Sequence, residues 1–205
     1  MIDEEIAVGA HRVLVQCDRS VQRQGKWLLD TIKRETQRNL QLRDGVRVEV
    51  GWSVVTLRAM NAQDFRVYEP DFSVDPFTQV RADVTTTLKV IAEQNDFLRL
   101  ARAVGVSVRF DQKVVVSEGV LALKSVYLER SRDITRNDSG WYVGPVEGGR
   151  AALQGMYIYQ LLARPEFMQV LTLPSAYLVI FDGAAIRSVT NERDQDVWGE
   201  VGQRG

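Results

Sequence analysis

Hydrophobic and polar residues recur along this chain with two different periods, and the switch between them marks out the elements. Arg12 to Cys17 (Arg-Val-Leu-Val-Gln-Cys) is a β-branched run that reads as a strand, and Asp18 or Ser20 can cap the helix that follows by accepting from its free N–H groups. From residue 21 to 42 the apolar positions Val21, Leu28 and Ile32 fall near helical spacing, Lys33, Arg34, Glu35 and Arg38 face outward, and Asp44-Gly45 stops the helix. Val46, Val48, Val50 and Trp52 then alternate with Arg47, Glu49, Gly51 and Ser53, the pattern of a strand covered on one face. Parity slips at Val54-Val55, where Leu57 and Ala59 take over the apolar positions; this predicts a bulge or a change to two-sided burial. Asn61 to Asp64 reads as a turn into a strand from Phe65 to Tyr68.

Pro70 and Pro76 block helix and interior ladder pairing, so the stretch from Glu69 to Phe77 is expected to be a loop, with Phe72 and Phe77 packing inward. Helical spacing returns from Asp83 to Val104, where Val84, Leu88, Ile91 and Leu98 form one line and Phe97, Ala101 and Val104 extend it up to Gly105. Beyond Gly105 strand signals dominate: Val106, Val108 and Phe110 alternate, followed by Val114 to Val116 and Val120 to Leu128. Arg132 to Gly140 is turn material, Trp141 to Val143 a short strand, and Pro145 to Gly149 a second turn. A short helix is expected from Pro165 to Leu171, and Ala176 to Phe181 and Ile186 to Val189 form a hairpin around Asp182-Gly183.

These elements predict an α+β protein with mostly antiparallel sheets. Two long amphipathic helices lie in an N-terminal half ordered β-α-β-β-α, and the C-terminal half is strand-rich. The division is placed at 1–110 and 111–205, with one continuous core as the alternative.

Composition narrows the function classes. The 26 basic and 27 acidic residues leave a net charge of −1, so no bulk field draws the chain to nucleic acid or to an anionic membrane. A single cysteine, Cys17, excludes an intrachain disulfide and a cysteine-rich zinc site, which suits a reducing cytoplasm. The acidic start Met1-Ile2-Asp3-Glu4-Glu5 is unlike a signal peptide, and no apolar run approaches the ~20 residues that cross a bilayer.

Catalytic chemistry finds little support. His11 is the sole histidine, and six residues of strand would hold it about 20 Å from Cys17 by ordinary strand rise, too far for a nucleophile and its base. The chain contains neither a Gly-x-Ser-x-Gly elbow nor a glycine-rich phosphate loop, so no catalytic residue and no cofactor is expected. Glu69, Asp71 and Asp75 could approach a hard cation, but they lack the dense Asp/Asn spacing and glycine of a calcium loop. They read instead as a solvated acidic loop that meets a basic partner, with no metal.

The most informative stretch is Asn137-Asp138-Ser139-Gly140-Trp141-Tyr142-Val143. Asn and Asp accept from backbone N–H groups two residues on, Gly140 tolerates positive φ, and Trp141 buries a large face where a strand begins. With its flanks, Val114-Val115-Val116-Ser117, Val126-Tyr127-Leu128-Glu129-Arg130 and Leu171-Thr172-Leu173-Pro174-Ser175-Ala176-Tyr177, the segment from about 112 to 190 resembles the bacterial immunity protein thirty-three domain family. In that pattern a strand ends in Val-Ser, a tyrosine strand ends in an Arg-Glu pair, here reversed as Glu129-Arg130, and Asp-Ser-Gly-Trp opens the next strand.

The resemblance implies a non-enzymatic, cytoplasmic immunity protein that binds a cognate protein toxin and neutralises it. Candidate contacts are Glu129, Arg130, Asp138 and Trp141, with Glu69, Asp71 and Asp75 on the acidic loop, and exposed Trp, Tyr and Arg side chains suit such an interface. The alternatives are a scaffold that self-associates, as a homodimer, through strands such as Ala176 to Phe181, and a hydrolase using Asp71 and Asp75 with a metal.

Overall fold

Where the alternation slips near Val54, the chain has turned back on itself. Strands Arg47–Val50 and Ser53–Ala59 form an antiparallel hairpin in which Val50 lies opposite Ser53, and the turn is the pair Gly51-Trp52. Gly51 has φ +57°, which suits the first position of a two-residue hairpin turn, and a Cβ there would meet Ile91 at 2.9 Å. Both arms then point their apolar residues to one side, with Val48 opposite Val55, so a single hydrophobic face survives the change of parity.

The computed structural model describes residues 1–132, 138–148 and 151–199. The chain divides into two compact units, Met1–Ala92 and Glu93–Gly205. The fold is α+β: each unit contains a mixed six-stranded sheet in which one strand pair is parallel and the others are antiparallel.

In the first unit the strands are β1 (Ile2–Val8), β2 (His11–Cys17), β3 (Arg47–Val50), β4 (Ser53–Ala59), β5 (Asp64–Pro70) and β6 (Val80–Arg81). They run in the order β1-β2-β5-β4-β3, with β6 against β5. Strand β1 was not expected; its acidic residues hide a period-2 pattern of Ile2, Ile6 and Val8. The parallel pair β2/β5 begins at Arg12 and Asp64, whose side chains share two hydrogen bonds of 2.8 and 2.9 Å. Helix α1 (Gln22–Arg38) turns Gly25, Leu28, Leu29 and Ile32 inward, and at Gly25 a Cβ would stand 3.1 Å from Cys17 Sγ. His11 and Cys17 sit at opposite ends of β2. Of the two loop aromatics, Phe72 stacks on Trp52 at 4.8 Å, whereas Phe77 is half exposed.

Helix α2 (Thr85–Ala101) carries the division between the units. Its first turn explains why Glu69 and Pro70 belong to β5 rather than to a loop: the Thr87 N–H donates to the Glu69 carboxylate at 2.7 Å, and Trp52 Nε1–H reaches Thr87 O at 3.3 Å. A buried carboxylate thus meets the free N–H groups of a helix start.

The second unit contains β7 (Lys113–Ser117), β8 (Ser125–Arg130), β9 (Asp138–Pro145), β10 (Leu153–Tyr157), β11 (Leu178–Asp182) and β12 (Ala185–Thr190), in the order β10-β7-β9-β8-β11-β12. One face of this sheet, with Val114, Val116, Val126, Leu128, Trp141, Val143, Val179 and Phe181, is fully buried. It is part of a core that includes Ile158, Leu161, Phe167, Leu171 and Leu173, and the Phe167 and Phe181 rings lie 4.9 Å apart. Residues 106–110, expected as a strand, are irregular; Val106 N–H bonds to Thr172 O at 2.8 Å and Val108 and Phe110 serve as single anchors. The run from Val120 opens with a 3-10 turn (Val120–Ala122) before β8, and the helix at Pro165 is a single turn, α3 (Pro165–Met168). The Ala176 to Phe181 segment expected to self-associate is interior: β11 is paired to β8 on one side and β12 on the other, which leaves no edge free.

Burial raises the Glu69 pKa from 4.5 to about 7, against the lowering effect of the Thr87 N–H. The native state therefore holds this proton more tightly than the unfolded chain does. That contribution to stability is complete below about pH 4.5 and is lost as the pH rises through 7, on the order of 3 kcal/mol in all. Urea unfolding of the wild type and of Glu69→Gln between pH 4.5 and 8 should show this fall in the wild type and a flatter profile in the variant.

Candidate binding site

The Asp-Ser-Gly-Trp motif forms a bulge in the middle of a sheet. Lys113 of β7 is paired with Asp138 and Val115 with Tyr142, so Ser139, Gly140 and Trp141 of β9 are accommodated where β7 supplies Val114 alone. Gly140 makes the required bend at φ +75°, and its N–H donates to Asp138 Oδ1 at 2.9 Å. Ser139 repairs the ladder that the bulge opens: its hydroxyl donates to Lys113 O at 2.6 Å and accepts from the Trp141 N–H at 3.2 Å. Asn137, the first residue of the motif, lies outside the described residues, as does Gly149 at the end of the second expected turn.

Beneath the bulge lies Arg130, 2% exposed. Its Nε–H donates to Ser139 O at 3.0 Å, Nη1 to Leu173 O at 2.5 Å and Val106 O at 3.4 Å, and Nη2 to Ser107 O at 3.4 Å. The guanidinium also lies 5.8 Å from the Trp141 ring centre, and Trp141 Nε1–H is held by Leu171 O at 2.8 Å. Desolvation lowers the Arg130 pKa to about 10, which still leaves it charged at neutral pH. Arg130 and Trp141 therefore support the bulge from inside. The exposure expected of Arg130 as a contact is not observed, and the burial expected of Trp141 is, because the period of β8 and β9 turns both toward the core.

The same register places Glu129 opposite Tyr142, and Tyr127 opposite Gly144, on the outer face of the sheet. Glu129 is exposed, and Tyr127, Tyr142 and Asp138 are half-buried. The Tyr127 and Tyr142 rings lie 5.6 Å apart, and the Tyr142 hydroxyl shares a 2.7 Å hydrogen bond with Ser117 Oγ. Gly144 makes this pairing sterically feasible, since a Cβ there would come within 2.7 Å of Tyr142. Burial and then the Tyr142 hydrogen bond raise the Tyr127 pKa, so the Tyr127 phenol stays a neutral hydrogen-bonding group.

Glu129, Arg132, Tyr142, Glu192 and Asp194 border a recess of about 510 Å³, with Arg130 and Gly140 at its base. Tyr127, Tyr142, Arg132, Glu192 and Asp194 were not named as candidate contacts from the sequence. For the two tyrosines the signal is there, because they share parity with Glu129 once β8 and β9 are aligned. Glu192 and Asp194 come from a polar stretch that carries no periodic signal.

The structure thus brings Glu129, Arg130, Asp138 and Trp141 together in the second unit, on two different faces of one sheet. Glu69, Asp71 and Asp75 belong to the first unit and do not form a common carboxylate surface: Glu69 is buried, while Asp71 and Asp75 organise separate turns. Asp71 accepts from Ser73 N–H and Oγ, and Asp75 from Phe77 N–H and Thr78 Oγ1, bonds that hold both carboxyls below their usual pKa. Among the described residues no group of three His, Cys, Asp or Glu side chains is arranged to hold a metal ion. Among the same residues no helix is long and apolar enough to cross a membrane.

A family model described as the Imm33-like domain matches residues 93–199, a segment that lies within the second unit. No curated protein and no solved structure matches the chain.

Replacing Arg130 by Met keeps much of its length but strands the carbonyls of Ser139 and Leu173, so the variant should lose about 3 kcal/mol or more in chemical denaturation. Glu129→Ala, on the exposed side of the same strand, should change stability by less than about 0.5 kcal/mol.

Proposed function

Because the chain belongs to the Imm33-like domain family, we propose that it is a non-enzymatic immunity protein that binds a cognate protein toxin in the cytoplasm and blocks it. The family match over the second unit carries this reading. The surface above the Asp-Ser-Gly-Trp bulge supports it: two tyrosines, an exposed glutamate and a recess edged by Arg132, Glu192 and Asp194 combine aromatic area with both signs of charge.

On this reading Glu129, Tyr142 and Asp138 contact the toxin, and Arg130 and Trp141 keep those contacts in place from the core side. Inhibition by occlusion needs no bond to be made or broken, only a surface that keeps its shape. The turns at Asp71 and Asp75 are a second, acidic contact region on the same proposal.

Co-expression in bacteria with the toxin gene adjacent to this one tests the proposal. The wild type should restore growth and co-purify with the toxin. Glu129→Arg combined with Tyr142→Ala should reduce protection at least tenfold while the far-UV circular dichroism stays unchanged. Failure of the wild type to protect or to co-purify would overturn the reading.

A further inference from the structure

We infer that the outer face of helix α1 docks an acidic segment of a partner protein, which sets an aromatic side chain beside Trp27 and its carboxylates on Arg23, Lys33 and Arg34. The inference does not depend on toxin binding by the second unit. The family match begins at residue 93 and so assigns no role to the first unit.

Helix α1 has two unlike faces. Gly25, Leu28, Leu29 and Ile32 are buried on one, and helical spacing puts Arg23, Trp27, Asp30, Arg34 and Gln37 together on the other. Trp27 is 40% exposed there, although Leu28 and Leu29 beside it in sequence are buried. Trp27, Asp30, Lys33, Arg34 and Gln37 border an open recess of about 490 Å³, with the indole as its aromatic wall. Tryptophan and arginine are the residues most enriched among the anchors that dominate protein binding. Arg34 is already held in place: its Nη2 donates to Thr31 Oγ1 at 3.0 Å, and the Thr31 hydroxyl donates to Trp27 O at 2.8 Å. Less side-chain freedom is then lost when a partner arrives.

Charge fixes the class of that partner. Lys26 is matched by Glu4 at 4.0 Å and Arg38 by Glu35 at 3.2 Å, whereas no carboxylate among the described residues pairs with Arg23, Lys33 or Arg34. Three cations around an exposed ring suit carboxylates that flank an aromatic side chain. A phosphate backbone suits the face less well, because Asp30 on the recess wall would repel it. A bilayer suits it least: the aliphatic residues of α1 are spent on the core, which leaves no apolar face to lie among lipid chains. A peptide chain can use Asp30 as well, since its N–H groups are donors.

Calorimetric titration of the full chain with the synthetic peptide Glu-Asp-Glu-Phe-Glu-Asp-Glu, blocked at both ends, tests this. The wild type should bind with a Kd on the order of 100 μM. Trp27→Ala and Arg34→Glu, both on the exposed side of the helix, should each weaken binding about tenfold or more with an unchanged circular dichroism spectrum. The same peptide with lysine at every acidic position should not bind. Should one variant misfold, the other decides together with the lysine peptide. No binding of the acidic peptide up to about 5 mM, or equal binding by the folded variants, would overturn the inference. So would Trp27-dependent binding to phosphatidylglycerol vesicles or to single-stranded oligothymidylate that is tighter than to the peptide, or a Trp27-dependent doubling of mass in sedimentation of the chain alone.

Discussion

A charged guanidinium held out of water at Arg130 is the constraint around which the second unit is arranged. Desolvation of such a group is tolerable only where its donors find acceptors. Here the acceptors are main-chain carbonyls at Val106, Ser107, Ser139 and Leu173, drawn from separate segments of the chain. Two of these segments, around 106 and 173, lack regular ladder bonding and are tied together by Val106 N–H to Thr172 O. The third contains the bulge of β9. One side chain thus fixes the two irregular segments against the sheet. Arg164 acts in a similar way elsewhere in the unit, donating to the carbonyls of Leu121, Leu123 and Gly183.

The alternation of a strand links this interior to the surface. Arg130 and Glu129 are neighbours in sequence and point to opposite faces, as do Trp141 and Tyr142. Any change that unseats the buried pair shifts the exposed pair by the same backbone movement. The bulge therefore gives the outer face a defined shape, which an inhibitor acting by occlusion requires more than it requires reactive groups.

The α+β class, both long helices and the Leu178–Thr190 hairpin were legible because each shows a sustained period or a clear turn signal. The hairpin at Gly51-Trp52 was misread as one strand, since an apolar residue in a two-residue turn disguises the break. Strands β1 and β10 were missed for the opposite reason: acidic residues in the first, and glycine with a polar neighbour in the second, dilute the alternation. Val106 to Phe110 has a strand pattern but belongs to no sheet, so Val108 and Phe110 act as isolated anchors while Val106 stays exposed. At the Asp-Ser-Gly-Trp motif the Asp138 acceptor, the positive φ of Gly140 and the burial of Trp141 agree with the sequence reading, whereas residues 138–140, expected as part of a turn, form a bulge inside β9. That Arg130 faces inward beside Trp141 depends on the register of β8 and β9, which is a long-range property that local sequence does not encode.

On the proposed function, the outer face of the second unit, shaped from within by Arg130 and Trp141, meets the toxin. Hydrogen-exchange mass spectrometry of the chain alone and saturated with the purified toxin addresses it most directly. Added protection is expected in peptides covering Ser125–Arg130, Asp138–Pro145 and the polar stretch at Glu192 to Asp194. Binding that leaves these peptides unchanged and protects other segments instead would contradict it.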